Sequence, residues 1–136
     1  MEISKFTTRT QEAIAQAIQG ATGAGHTQLE ALHLLDALLR QDDTLVRPLL
    51  EAAGVAADDV ARATQAELQK LPAATGSTVA APSYSRPAIQ TLTTSQDIAA
   101  EMKDEFTSGD HLLIALATVD SSAKRVLTEH KASARR

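Results

Sequence analysis

Residues 33–38 read HLLDAL and residues 111–116 read HLLIAL, so one short stretch of the chain occurs twice. Five of the six positions are identical, and the offset between the copies is 78 residues. The leucines of each copy lie on one face of a helix, which favours a buried helix over a strand. A repeat of this kind predicts two similar units that bury their leucine faces against each other.

The same offset extends beyond this stretch without a gap. Between residues 6 and 54, ten positions are identical to their partners. The offset pairs Phe6 with Tyr84, Ile14 with Leu92, Ala21 with Ala99, Asp42 with Asp120 and Arg47 with Arg125. The identities cluster around the two histidines, so we interpret the chain as an internal duplication with a pseudo-twofold axis.

Composition favours one all-α domain. The chain has 136 residues, which suits a single domain. Alanine, the strongest helix former, supplies 26 of them, and only three residues are aromatic. Alternating runs of Val, Ile, Thr and Tyr, which are typical of strands, are missing.

Apolar periodicity and capping residues predict helices in both repeats. The first repeat covers about residues 1–71, a linker rich in Pro, Ala, Gly, Ser and Thr covers 72–83, and the second repeat covers about 84–133. We expect the fourth helix of the second repeat to be truncated. The predicted helices span about Thr7–Ala21, Glu30–Arg40, a third segment capped at Asp42–Thr44 and ending near Gly54, Asp58–Leu71, Pro87–Lys103, Ser108–Thr118 and Ser121–His130.

Charge and residue types argue against several functional classes. The formal charge is −4, which gives no strong field for nucleic acid or anionic lipid. Cysteine is absent, which excludes disulfides and thiol catalysis. No apolar run is long enough for a membrane span, and no phosphate-binding loop or metal-binding histidine pair occurs. A cytoplasmic domain without cofactor or metal is the expectation.

One polar cluster stands out, at Asp104, Asp110 and His111. The simplest interpretation is a loop followed by a helix start, with Asp110 near the positive end of the helix. The alternative is a functional site, and an enzyme that uses these three residues is the least favoured form of it. The acidic pairs Asp42–Asp43 and Asp58–Asp59 are interpreted as helix starts.

Three stretches of the chain resemble the Clp N-terminal domain, a double four-helix repeat at the front of Clp-family AAA+ unfoldases. They are Phe6–Ala13, Glu30–Leu39 and Pro48–Val55, and the resemblance covers about Met1–Ser133. Each motif is short, but their order, spacing and duplication agree. The resemblance implies an all-α fold of two pseudo-twofold-related repeats.

Two subgroups of that family can be compared with this sequence. The ClpC type carries an acidic residue before the histidine in both halves, and here Leu32 takes that position in the first half while Asp110 keeps it in the second. The ClpB type, a disaggregating chaperone, is matched by Glu30–Leu34, by the linker start Leu71–Pro72 and by Met102–Phe106. The resemblance favours the ClpB type.

The resemblance to ClpB-type chaperones also implies a role and a site. Such a domain has no ATPase activity of its own and recognises exposed apolar segments of misfolded or aggregated polypeptides for a hexameric AAA+ parent. It implies polar groove residues at Thr7, Asp104 and Asp110, and groove lining at Leu92, Ile98 and His111. The implied partners are protein clients and the AAA+ modules, with no nucleic acid or membrane. The alternatives are a ClpC-type or free-standing domain that binds adaptors or clients of a Clp protease, and a dimerising spacer.

Overall fold

The computed structural model describes residues 3–41, 44–73 and 82–134, with side chains up to residue 130. These residues form seven α-helices, so the all-α prediction is confirmed. A single turn of 3-10 helix at Ile3–Lys5 and two strands of two residues complete the fold. The helices are α1 (Thr8–Gly23), α2 (Ala31–Arg40), α3 (Val46–Ala52), α4 (Ala57–Gln69), α5 (Arg86–Glu101), α6 (Gly109–Thr118) and α7 (Ser122–Ala134), and the strands are β1 (Gln28–Leu29) and β2 (Ser83–Tyr84).

The helices begin close to where the capping residues predict. Thr7 caps α1, and its Oγ1 accepts a hydrogen bond from the backbone N–H of Thr10 at 3.2 Å. Ser85 caps α5 in the same way, accepting from the N–H of Ala88 at 3.2 Å. Asp58 lies in the first turn of α4 but does not cap it, because Ala56 holds that position. Of the cap predicted at Asp42–Thr44, Thr44 does not hold the N-cap position of α3, which Leu45 occupies. Asp42, Asp43 and linker residues 74–81 lie outside the described residues.

Two short backbone pairings join the repeats. Leu29 pairs with Tyr84 in the parallel strands β1 and β2, and Phe6 forms a parallel bridge with Thr107. The 78-residue offset converts one pairing into the other, so the N-terminal segment of each repeat pairs with a later segment of the other repeat. Each strand pairs with a strand outside its own repeat, so neither half contains a sheet among its described residues, which agrees with a duplicated helical unit.

The core is built around α2 and α6. Leu35 and Leu38 of α2 are fully buried, and so are Leu112 and Leu116 of α6. His33 and His111 both occupy the third position of their helices, as the duplication predicts. Because one cluster of buried side chains includes residues of both repeats, the two units share a single core.

Candidate functional site

His111 joins the start of α6 to the loop before it. Its ring is buried, at 3% exposure. Nδ1 accepts a hydrogen bond from the backbone N–H of Ser108 at 2.9 Å, and Nε2 lies 2.8 Å from Oδ2 of Asp104. Because Nδ1 is an acceptor, Nε2 carries the proton of the neutral ring and donates to Asp104. The cluster noticed in the sequence is therefore a structural unit.

Asp104 reaches His111 because the chain turns sharply after α5. Lys103 adopts a left-handed backbone, with φ of 62°. The N–H of Asp104 then donates to the carbonyl of Ala99 at 2.9 Å, which closes the helix end. The turn directs the carboxylate toward the start of α6, while about half of the Asp104 side chain stays exposed.

Asp110 lies in the first turn of α6, where its negative charge faces the positive end of the helix. Its Oδ1 accepts a hydrogen bond from the hydroxyl of Ser108. The side chain is half-buried. These contacts agree with the simplest interpretation of Asp110 as a residue that stabilises the helix start.

Thr7 comes to this loop from the other repeat. Its N–H donates to the carbonyl of Thr107 at 2.9 Å, and the N–H of Thr107 donates to the carbonyl of Lys5 at 2.8 Å. The bridge places a residue of the first repeat beside the loop that carries Asp104. Thr7, Asp104, Asp110 and His111 are therefore gathered around Thr107 and Ser108.

An open cavity of about 430 Å³ lies beside this cluster. Asp104 and Glu105 give it two carboxylates, against the single ammonium of Lys5. A site of this charge can accept hydrogen bonds from peptide N–H groups or from a basic side chain. Its lining residues are Lys5, Gln96, Ala99, Ala100, Asp104, Glu105 and Thr107.

The two aliphatic residues that were expected to line the groove differ in their burial, and neither lines this cavity. Leu92 is fully buried in the core, with 0% exposure, so it presents no surface to a bound polypeptide. Ile98 is half-buried on α5 and lies outside the lining of this cavity. Helical periodicity places both residues on inward positions, and it does not tell a closed core from an open groove.

Two apolar residues beside Asp104 were not predicted as site residues. Met102 is 55% exposed and Phe106 is 46% exposed. Phe106 follows the acidic pair Asp104–Glu105 of the cavity directly, and Met102 precedes the pair by one intervening residue. An apolar side chain inside a polar loop is the signal that could have identified them. Unlike Leu92, both side chains expose apolar surface to solvent.

Among the described residues, no group of three His, Asp or Glu side chains could hold a metal ion. Within the same part of the chain, no helix combines the length and the apolar character that a membrane crossing requires.

Most of the chain is similar in sequence to known proteins. The family model of the Clp repeat N-terminal domain matches residues 5–130. The chaperone protein ClpB of Mycobacterium bovis is 44% identical over 127 residues, which is 93% of this chain and 15% of that protein. The chain thus spans about a seventh of the length of this relative.

Solved structures show the same fold. The Hsp104 N-terminal domain from Candida albicans superposes with a TM-score of 0.81 at 27% identity, covering 93% of this chain and 81% of that one. A ClpV N-domain in complex with a VipB peptide gives a TM-score of 0.74 at 22% identity, covering 93% and 79%. The second likeness is evidence for the fold alone.

Proposed function

The chain belongs to the Clp N-terminal domain family, and we propose that it is the substrate-recognition domain of a ClpB-like, ATP-dependent protein-disaggregating chaperone. Its clients are misfolded or aggregated polypeptides that expose apolar segments in the cytoplasm. ATP hydrolysis and the hexamer belong to AAA+ modules elsewhere in the parent protein. The 44% identity to ClpB over 127 residues supports a ClpB-like parent over the other types of parent in this family.

One observation carries the recognition role. An open cavity at the junction of the repeats has the exposed carboxylates of Asp104 and Glu105 in its lining. The exposed apolar side chains of Met102 and Phe106 are close to these two carboxylates in the chain. Burial of apolar surface supplies about 25 cal/mol per Å², so modest contact with these side chains gives weak binding. An affinity in the micromolar to millimolar range, roughly −8 to −4 kcal/mol, suits a domain that must release its clients.

The carboxylates orient the client in this proposal. A carboxylate can accept about four hydrogen bonds. The bond from His111 therefore leaves Asp104 able to accept others from a client backbone or a basic side chain. Because His111 is buried and donates from a fixed nitrogen, it is a positioning residue that holds the carboxylate at the cavity.

A second candidate function is a domain that binds adaptors or clients of a Clp protease, or that acts as a free-standing protein. The observation in its favour is that N-domains of ClpV and ClpD share this fold. Identities of 22% and 20% support the fold without the partner. Joining the chain to the AAA+ modules of its parent and measuring ATP-dependent disaggregation separates the two functions.

The recognition role is tested by binding of a fluorescently labelled, permanently unfolded protein, measured by anisotropy. Phe106→Ala and Asp104→Asn should each weaken binding about tenfold or more, which corresponds to about 1.4 kcal/mol. Ile89→Ala is a matched control, since Ile89 is also 46% exposed but lies at the start of α5. Asp120→Asn is the second control, since Asp120 follows the opposite end of α6. Equal losses in all four variants would contradict the proposal.

A further inference from the structure

The first repeat contains a histidine pair in the place where the second repeat has Asp104 and His111. His26 and His33 lie 78 residues before them. Nδ1 of His33 accepts from the backbone N–H of Glu30 at 2.8 Å, as His111 does from Ser108. Nε2 of His33 therefore carries the proton and donates to Nδ1 of His26, at 2.8 Å. The partner of the buried ring is a neutral histidine in one repeat and a carboxylate in the other.

This contact holds only while both rings are neutral. A proton on Nδ1 of His26 would set two N–H groups against each other across 2.8 Å. A proton on Nδ1 of His33 would set its ring against the N–H of Glu30. In the second repeat, a proton on Nδ1 of His111 would likewise oppose the N–H of Ser108, but the carboxylate of Asp104 still accepts from Nε2 and compensates the positive charge. We therefore expect acid to disturb the contact in the first repeat more than the contact in the second.

The surroundings of the histidine pair offer a new charge little compensation. The pair lies beside a cavity of about 330 Å³ between α1, α2 and α4. Of the described residues that line it, those from α1 and α4 are uncharged, while α2 supplies Asp36 and Arg40. Asp36 already accepts from Arg40 at 2.9 Å and from Gln65 at 2.6 Å. Glu30, at the start of α2, uses its side chain to cap that helix.

Burial of His33 agrees with this picture. The ring is 4% exposed. The pKa of His33 is lowered from 6.5 to about 4, mainly because burial removes solvation and secondly because His26 is close. Asp36 and the backbone hydrogen bond from Glu30 act in the opposite direction and raise this pKa. The folded domain therefore resists the proton that the unfolded chain accepts.

We propose that the His26–His33 contact is a proton-sensitive latch between the end of α1 and the start of α2. Protonation of the pair separates the rings and loosens the wall of the cavity in the first repeat. The Asp104–His111 contact keeps the second repeat closed over the same pH range. The inference concerns a regulatory contact and does not depend on which client binds.

Hydrogen exchange at single amides, read by NMR between roughly pH 7.5 and pH 5, tests the latch. Protection factors around residues 24–34 should fall about tenfold more than those around residues 102–112. His26→Asp copies the second repeat and should abolish this difference. Equal protection changes in the two repeats of the wild-type chain would overturn the proposal.

A reciprocal variant keeps the test informative if His26→Asp does not fold. Asp104→His transfers the histidine pair to the second repeat, so residues 102–112 should gain the same acid sensitivity. An unchanged second repeat in this variant would overturn the proposal. Imidazole ¹⁵N shifts give an independent readout, because the account requires Nδ1 of His33 to be unprotonated at neutral pH. Protonated Nδ1 at that pH would also overturn it.

Discussion

Lys103 and Gly25 hold the same place in the two repeats, and both have a left-handed backbone, with φ of 62° and 76°. The following N–H in each case donates to a helix carbonyl at 2.9 Å, from Asp104 to Ala99 and from His26 to Ala21. This turn brings residue 26 or residue 104 against its buried histidine. The first repeat has a glycine, Gly25, which adopts this conformation freely, whereas the second repeat has Lys103, whose backbone is strained by it.

Lys103→Gly should stabilise the domain by about 1 kcal/mol, because glycine adopts the left-handed conformation without a steric penalty. Urea unfolding measures the change. Gly25→Lys is the matched control and should cost a similar amount. A destabilised Lys103→Gly variant would contradict this account of the turn.

Thr7→Ala and Ser85→Ala should each lower stability by about 1 kcal/mol, because each removes the cap of an equivalent helix. Only Thr7 lies beside the Asp104 loop, so only its variant should also weaken client binding. Urea unfolding and anisotropy measure the two effects. If both variants bind clients as wild type does, Thr7 serves only as a helix cap.

Leu92→Ala should cost about 2–5 kcal/mol, because the side chain is fully buried and its removal leaves a cavity. Ile98→Ala should cost less, because Ile98 is half-buried. Client affinity should be unchanged when it is measured at a temperature at which the Leu92→Ala variant is fully folded. A weaker affinity of the folded Leu92→Ala variant would show that Leu92 reaches the client.

Glu67 should titrate below the usual range of a glutamate. The hydrogen bond from Lys70 is the first cause of its lowered pKa, and Arg125 of the other repeat adds to it. A lowered carboxylate pKa gives stability that is present above the unfolded pKa and is lost as the pH falls through the folded one. NMR titration of the side chain should show that Lys70→Met raises this pKa more than Arg125→Met does. The reverse order would contradict the assigned cause.

Helices and duplication could be predicted because they rest on local periodicity and on a gapless offset, as at His33 and His111. The pairing of Phe6 with Thr107 could not be predicted, because a bridge of one residue on each side carries no periodic pattern. The same pairing gathers the candidate site, so the closeness of Thr7 to Asp104 was available only through the family resemblance. Leu92 shows the other limit, since its inward position is predicted and its complete burial depends on tertiary packing.

Chemical-shift mapping with a permanently unfolded client tests the central claim most directly. The ¹⁵N-labelled chain is titrated with the client, and the perturbed amides are placed on the structure. The account predicts the largest changes around Thr7, Met102, Asp104, Phe106, Asp110 and His111, at the junction of the repeats. Changes clustered on α4, around Val60–Leu71, would contradict the site.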